Sequence, residues 1–353
     1  MSSFFKETLK ARLYQNKAKY PLLKLDDLLD WQLIGDTLRQ ARARSRSDRR
    51  GNSGYDPLKM FKAVLLGQWH SLSDPELEHA LAVRADFLVF CDFDDMELPD
   101  HSTLCRYRQW LMKGDLLKRL MAQINGQLEQ QNLKISNASV AVVDASIIES
   151  IGAPKRKALD VEDNGDVTAT PANKDEEAKW VKKAGRFYLG YKRHASSDEE
   201  GYLGGIHVTA ANAHESRHLT PLLDELPEGV ELLADKGYAS KANRAELDAR
   251  GLKDGIMYKA VRGRPITSDE QQRNVEIKAK RWVIEQTFGT LKRRFRFSQA
   301  KYFGQDKVLG QCYLKAMCLN LLKASNKVSY AWQAVGVFRL ESGTKTKSET
   351  VLL

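Results

Sequence analysis

The sequence predicts an α/β protein, a mixed five-stranded sheet flanked by helices, preceded by an all-helical region. Three observations carry this. Residues 1–135 contain a series of helix-start signals followed by apolar residues at helical spacing. From about 139 to 258, short apolar runs alternate with turns and helical stretches. Two of those runs, Ser139-Val140-Ala141-Val142-Val143 and Val230-Glu231-Leu232-Leu233-Ala234, lead straight into aspartates, Asp144 and Asp235.

In the helical region, Leu22, Leu23, Leu25, Leu28 and Leu29 give a mixed helical and connecting pattern. Arg42, Arg44, Arg46, Arg49 and Arg50 form a basic stretch that runs into Gly51-Asn52-Ser53-Gly54, read as a flexible segment. Pro57 with Leu58, Phe61, Leu65 and Leu66 marks a helix with proline in its first turn. Ser73-Asp74-Pro75-Glu76 is a capped start for a helix burying Leu77, Ala80 and Leu81. Pro99-Asp100-His101-Ser102-Thr103 opens another, carrying Leu104, Tyr107, Leu111 and Met112. Two short helices and a capped third, with Arg106 and Arg108 near its start, resemble a helix-turn-helix that reads a DNA groove. A plain helical bundle with solvated arginines is the alternative.

Beyond the first strand, residues 153–183 are rich in lysine and acids, contain Asn164-Gly165 and Thr170-Pro171, and read as an exposed excursion. Phe187 to His194 and Tyr202 to Ala210 read as a hairpin joined by Ser196–Gly201. A helix is expected over about Ser216 to Leu226, the second aspartate-bearing strand follows, then a helix over about Lys241 to Arg250 and a last strand over Gly255 to Tyr258. A further helix spans about Asn274 to Phe295, and an apolar one lies near Leu314 to Leu322. From Glu341 the chain reads as a disordered tail. The domains expected are 1–135, helical and DNA-binding; 136–330, catalytic; and 331–353, tail.

The 353 residues are 42% hydrophobic and 29% charged, which is globular composition with room for one large or two smaller domains. A formal net charge of +10 favours a polyanionic partner, because neutralised phosphates release their counterions. No apolar run approaches a membrane span, and Met1 to Lys10 has no signal-peptide core, so a cytoplasmic, nucleoid-associated location is expected. Cys91, Cys105, Cys312 and Cys318 form no C-x-x-C pair and read as reduced, mostly buried thiols.

Strand-strand-strand-helix-strand-helix-strand-helix resembles the order of a ribonuclease H-like domain. In such domains one aspartate ends the first strand, another ends the fourth, and a further acid sits on a late helix. Here those acids are Asp144, Asp235 and Glu285. Phosphodiester cleavage must stabilise charge on the attacking and leaving oxygens, and two divalent ions about 3.5–4 Å apart do so. Magnesium takes hard oxygen ligands and keeps several waters, so a few carboxylates suffice. Each acid alone also reads as a turn residue, a cap or half of a helix-surface pair with Arg281.

The whole set resembles bacterial DDE transposases of the insertion-sequence-five family, within the group bearing a tyrosine–arginine–glutamate–lysine signature. The resemblance covers roughly Gly54 to Leu322. Arg281, Glu285 and Lys292 match the signature spacing. Asp235-Lys236-Gly237-Tyr238 looks like the segment at the second aspartate and Val143-Asp144-Ala145-Ser146 the segment at the first. Gly190-Tyr191-Lys192 and residues 99–103 also fit. Lys278 stands where the signature has tyrosine. One helix face would present Arg281, Glu285 and Lys292, with Ile284, Phe288, Leu291 and Phe295 as the docking stripe.

The resemblance implies that Asp144, Asp235 and Glu285 hold two Mg2+ ions, with Mn2+ able to substitute, and that Asp144 bridges them. Arg281 and Lys292 would contact phosphates near the cut, Arg293, Arg294 and Lys236 would extend that basic surface, and Arg106 and Arg108 are the DNA-contact candidates of the helix-turn-helix reading. The resemblance also implies that terminal inverted repeats are bound, cleaved and joined to target DNA, with a homodimer in the synaptic complex. Rival readings are a ribonuclease H-like nuclease without strand transfer and a catalytically silent DNA-binding regulator. A third, a zinc hydrolase, rests on His214-Glu215-Ser216-Arg217-His218, which matches H-E-x-x-H but needs both histidines on one helix and a third ligand.

Overall fold

The computed structural model describes residues 3–45, 54–94, 97–152, 160–161, 167–168 and 175–341, with side chains described no further than residue 328. Arg46, Arg49, Arg50, the glycine-bearing segment 51–53, the dipeptides 164–165 and 170–171 and the tail from 342 lie outside the described residues.

The helical region comprises α1 (Ser3–Gln15), α2 (Pro21–Asp26), α3 (Trp31–Ser45), α4 (Pro57–His70), α5 (Asp74–Val83), α6 (Ala85–Cys91), α7 (His101–Leu111) and α8 (Leu116–Gln130). Its start signals act as the residue types require. The Asp56 carboxylate accepts from the amides of Leu58 and Lys59 with Pro57 in the first turn of α4. Ser73 and Glu76 close a reciprocal capping box on α5. Asp100 caps α7 through the Thr103 amide at 2.8 Å. Arg42 and Arg44 belong to the last turns of α3 rather than to a flexible segment.

The sheet strands are β1 (Val140–Glu149), β4 (Lys179–Lys183), β5 (Arg186–Asp198), β6 (Leu203–Ala210), β7 (Glu231–Ala234) and β8 (Lys253–Ile256); β2 (Asp160–Val161) and β3 (Val167–Thr168) form a separate small ladder. Both β4 and β6 pair with one side of β5, β1 with the other, and β7 and β8 continue outward. β1, β5 and β6 are antiparallel, whereas β1–β7 and β7–β8 are parallel. That is the ribonuclease H-like arrangement.

Several elements depart from the sequence expectation. The sheet has six strands, not five: β4 falls in the region read as an excursion, because Lys179-Trp180-Val181-Lys182-Lys183 is a lysine-rich strand that pairs on one side only. β1 is longer than the apolar run, so Asp144 lies within the strand instead of ending it. No α-helix spans 216–226; two 3₁₀ turns, Glu215–Arg217 and Thr220–Leu222, stand there. Pro221 explains this, since its ring would clash with the Arg217 carbonyl and it has no N–H to donate. α10 (Ser268–Arg293) starts six residues before Asn274, at a capping box between Thr267 and Glu270.

α9 (Lys241–Ala249) packs beside β8. α11 (Gln305–Glu341) runs far beyond the apolar segment 314–322 and through residue 330, where the tail was expected to begin. One apolar core joins Ile34, Phe61, Leu65 and Leu120 of the N-terminal helices to Met317 and Leu319 of α11 and to Tyr191 and Ile206 of the sheet. A smaller core on the opposite sheet face holds Val143, Leu232, Leu222, Tyr238 and Leu247.

Candidate active site

β1 and β7 run parallel and in register up to Val143 and Ala234, where β7 stops and β1 continues. The next residue on each is an aspartate. Adjacent strands lie about 4.8 Å apart, so Asp144 and Asp235 stand side by side at the carboxyl end of the parallel ladder. Open sheets bind ligands at such strand ends.

Asp235 caps the 3₁₀ turn Lys236–Tyr238, accepting from the Gly237 amide at 2.8 Å, and Lys236 points to solvent. Behind it the buried Tyr238 hydroxyl shares a 2.9 Å hydrogen bond with His194 Nδ1. Asp144 Oδ1 accepts from the Ala145 amide at 2.8 Å and meets Arg281 Nη2 at 3.2 Å. Burial pushes the Asp144 carboxyl up to about 6; Arg281 and the Ala145 amide oppose the rise, and the nearby charges of Asp235 and Glu215 add to it.

α10 crosses this rim. Ile284, Phe288, Leu291 and Phe295 are buried and dock it, as the apolar stripe predicts. Arg281 is also buried, which its place in a charged pattern did not reveal; it faces Asp144 and Met257 rather than solvent. Glu285 and Lys292 are exposed and line, with Asp144, a cleft of about 500 Å³. Lys183 and Tyr188, from the β4–β5 hairpin, form another of its walls. Burial lowers the Lys292 pKa, and the nearby cations Arg193 and Lys183 lower it further. Arg293 and Arg294 are exposed at the end of α10.

The sequence reading missed Glu215 as a neighbour of the aspartates and saw it only inside the H-E-x-x-H string. Its Oε1 lies 3.3 Å from Lys192 Nζ. A Cβ at Gly237 would overlap Glu215 Oε2 and crowd Asp235 Oδ1, so glycine is what allows this approach. The string is not on an α-helix: His214 caps the turn Glu215–Arg217, while His218 stacks on His207 with ring centres 5.3 Å apart. Lys183 was missed because an edge-strand lysine looks like loop; Tyr188 lies in a strand the sequence does indicate, but only the β4–β5 hairpin turns it to the cleft.

The donor set suits a hard divalent cation. Carboxylates that repel one another in a desolvated notch are relieved by such an ion, and oxygen donors are what magnesium-like ions take. As the chain stands, Arg281 supplies part of that positive charge. Among the described residues, no three His, Cys, Asp or Glu side chains are already placed so that they could hold an ion.

Far from the cleft in sequence, Arg106 is exposed on α7 and donates to Thr103 Oγ1 at 3.0 Å. Arg108 is buried, paired with Asp74 and stacked over Tyr302 at 4.5 Å, so it faces the interior and not a groove. Helix spacing explains the difference, since positions two apart lie on different faces.

Residues 136–321 match the family described as transposase DDE domain, and residues 7–110 match a second transposase domain family. The chain is 50% identical over 272 residues to the transposase for insertion sequence element IS1106 of Neisseria meningitidis serogroup B, covering 77% of this chain and 92% of that protein. Among solved structures it is similar to a piggyBac transposase synaptic complex with hairpin DNA, at 12% identity and a TM-score of 0.45, covering 93% and 77% of the two chains. It is also similar to a Mos1 transposase paired-end complex, at 11% identity and a TM-score of 0.20, covering 74% and 86%. Proteins with this domain depend on divalent metal. With two aspartates at a sheet rim, a glutamate on the crossing helix, the transposase DDE domain match over 136–321 and 50% identity to an insertion-sequence transposase over 77% of its length, the chain belongs to the DDE transposases of bacterial insertion sequences.

Proposed function

We propose that Asp144, Asp235 and Glu285 are the catalytic acids, that they hold two Mg2+ ions for which Mn2+ can substitute, and that the substrate is the terminal inverted repeat of an insertion element. The juxtaposition of Asp144 and Asp235 at the end of one parallel ladder, with Glu285 lining the adjoining cleft beside Asp144, supports this reading most. Divalent ions bound there would lower the pKa of water and stabilise charge on the phosphoryl oxygens. Asp144, ionised, faces the ladder end. Arg281 orients that carboxylate, Lys292 and Lys183 meet the phosphates of the strand lying in the cleft, and Arg293, Arg294 and Lys236 extend the basic surface.

Water attacks the phosphorus at the element's end, and the bond to the 3′ oxygen breaks to leave a 3′-hydroxyl. That hydroxyl then attacks a target phosphodiester in line, displacing another 3′ oxygen. Arg106 on α7 contacts DNA; Arg108 holds α7 to the body of the protein. We further propose membership of the insertion-sequence-five group, a homodimer at the synapse and a nucleoid-associated, cytoplasmic location. The test is cleavage of end-bearing DNA by Asp144→Asn, Asp235→Asn and Glu285→Gln. Each should lose at least about a hundredfold in rate. A variant that keeps near-normal metal-dependent cleavage removes that residue from the set. Joining of precut ends to a plasmid separates a transposase site from that of a plain nuclease.

A further inference from the structure

Between β8 and α10 the chain doubles back through a tight turn, Val261-Arg262-Gly263-Arg264, followed by Pro265. Val261 N donates to Arg264 O at 3.2 Å and Arg264 N to Val261 O at 2.9 Å. Gly263 has φ +81°, and no atom outside its immediate neighbours comes within 4 Å of its absent Cβ. The base of the turn is fixed. Tyr258 N donates to Asn274 Oδ1 at 2.7 Å, Asn274 Nδ2 returns a bond to Tyr258 O at 3.0 Å, and Arg244 stacks over the Tyr258 ring at 4.5 Å. Arg264 Nη2 donates to Glu270 Oε1 at 2.5 Å, the same glutamate that caps α10.

The tip has no such ties. Lys259, Val261 and Arg262 are exposed, Val261 by 51%, and among the described residues Arg262 makes no hydrogen bond or ion pair. An unpaired guanidinium on a rigid stem, beside a glycine that adds no width and an exposed valine, suits a narrow anionic channel. The minor groove of duplex DNA is about 6 Å wide. A·T-rich tracts narrow it and deepen its negative potential, which favours inserted arginine. β8 is the edge strand one place beyond β7, so the stem rises from the rim that carries Asp235.

We infer that the Val261–Arg264 turn is a minor-groove probe that inserts Arg262 into A·T-rich duplex beside the cleavage cleft. The inference rests on the transposase reading of that cleft. It is tested with the full-length protein, without divalent metal, on three duplexes of one length: A·T-rich, its G·C counterpart and an inosine·cytosine counterpart. The last keeps the G·C major-groove acceptors and presents an A·T-like minor groove. Arg262→Ala should weaken binding about five- to tenfold on the A·T and inosine·cytosine duplexes and less than about twofold on G·C. Arg262→Lys, which keeps the charge but not the planar fork, should leave G·C binding unchanged and fail to restore the other two. Equal losses on all three duplexes, or none on any, overturn the inference. Wild-type cleavage of end-bearing DNA with metal is measured in parallel. If it proceeds while Arg262→Ala binds normally, only the probe is refuted; if the wild type neither binds nor cleaves, the reading of the cleft falls as well.

Discussion

Replacing Asp144 with asparagine should make the protein more stable while it loses cleavage. The carboxyl of Asp144 has an ordinary pKa of 3.8 and is pushed up to about 6 in the fold, with its side chain only 18% exposed. A carboxyl whose folded-state pKa lies above its unfolded value withdraws stability as it ionises. The cost is absent below about pH 4, grows as pH rises through 6 and is constant above that. Two pKa units and a little more correspond to about 3 kcal/mol. Asparagine resembles the protonated form, so Asp144→Asn should gain about 3 kcal/mol at pH 8, or about 4 °C in Tm for a chain of this length. The assay is thermal and urea unfolding of both proteins across the pH range, without divalent metal. Magnesium should then raise the wild-type Tm by more than the variant's, because the variant lacks one of the carboxylates whose charge the ions neutralise. A variant no more stable than wild type at pH 8, or a gain of the same size at pH 4 as at pH 8, would refute the argument that burial and neighbouring acids load this carboxylate.

Divalent-ion affinity should fall about tenfold per pH unit below about 6, since protons and metal compete for Asp144; calorimetric Mn2+ titrations would check it, and a flat profile would separate Asp144 from the ion. Gly190→Ala should destabilise the fold by about 2–3 kcal/mol, because its Cβ would overlap the backbone at the end of β1, at Ile148 and the following Ser150; unfolding at an unchanged midpoint would contradict the packing. Arg108→Ala should cost about 3–5 kcal/mol of stability by stranding Asp74, with DNA affinity per folded molecule unchanged. Arg106→Ala should do the reverse, weakening DNA binding in anisotropy titrations without moving Tm.

The local signals carried most of the fold. Ser73, Asp100 and Thr267 each bond an amide three residues on, and where the first two were read as caps the helix starts were placed correctly. The third went unread, and α10 was begun too late. The apolar runs at 140–143 and 230–234 placed the two aspartates at neighbouring strands because strand period and burial coincide there. What stayed hidden depends on tertiary partners. β4 is a strand because β5 offers it backbone groups, and Trp180-Val181, set among three lysines, is too short an apolar run to announce it. Arg281 reads as a surface cation until Asp144 is found opposite it. Glu215 reaches Asp235 across a turn whose glycine is informative only once the contact is seen.

α11 touches both halves of the molecule, and its Asn320 is one of the points where they are fastened. Asn320 Nδ2 donates to Asn125 Oδ1 on α8 and to the Leu203 carbonyl of β6, each at 2.9 Å, and its own Oδ1 receives the Leu203 amide. Grafting the first 135 residues of this chain onto a relative's sheet would therefore not be a modular exchange. The chimera would inherit two unmatched halves of a single interior and a severed amide relay, and compensating changes would have to reach from the sheet to positions more than three hundred residues from the start of the chain. On the DNA contact proposed for α7, retargeting such an enzyme to new element ends is better attempted by altering exposed side chains there than by swapping the helical region whole.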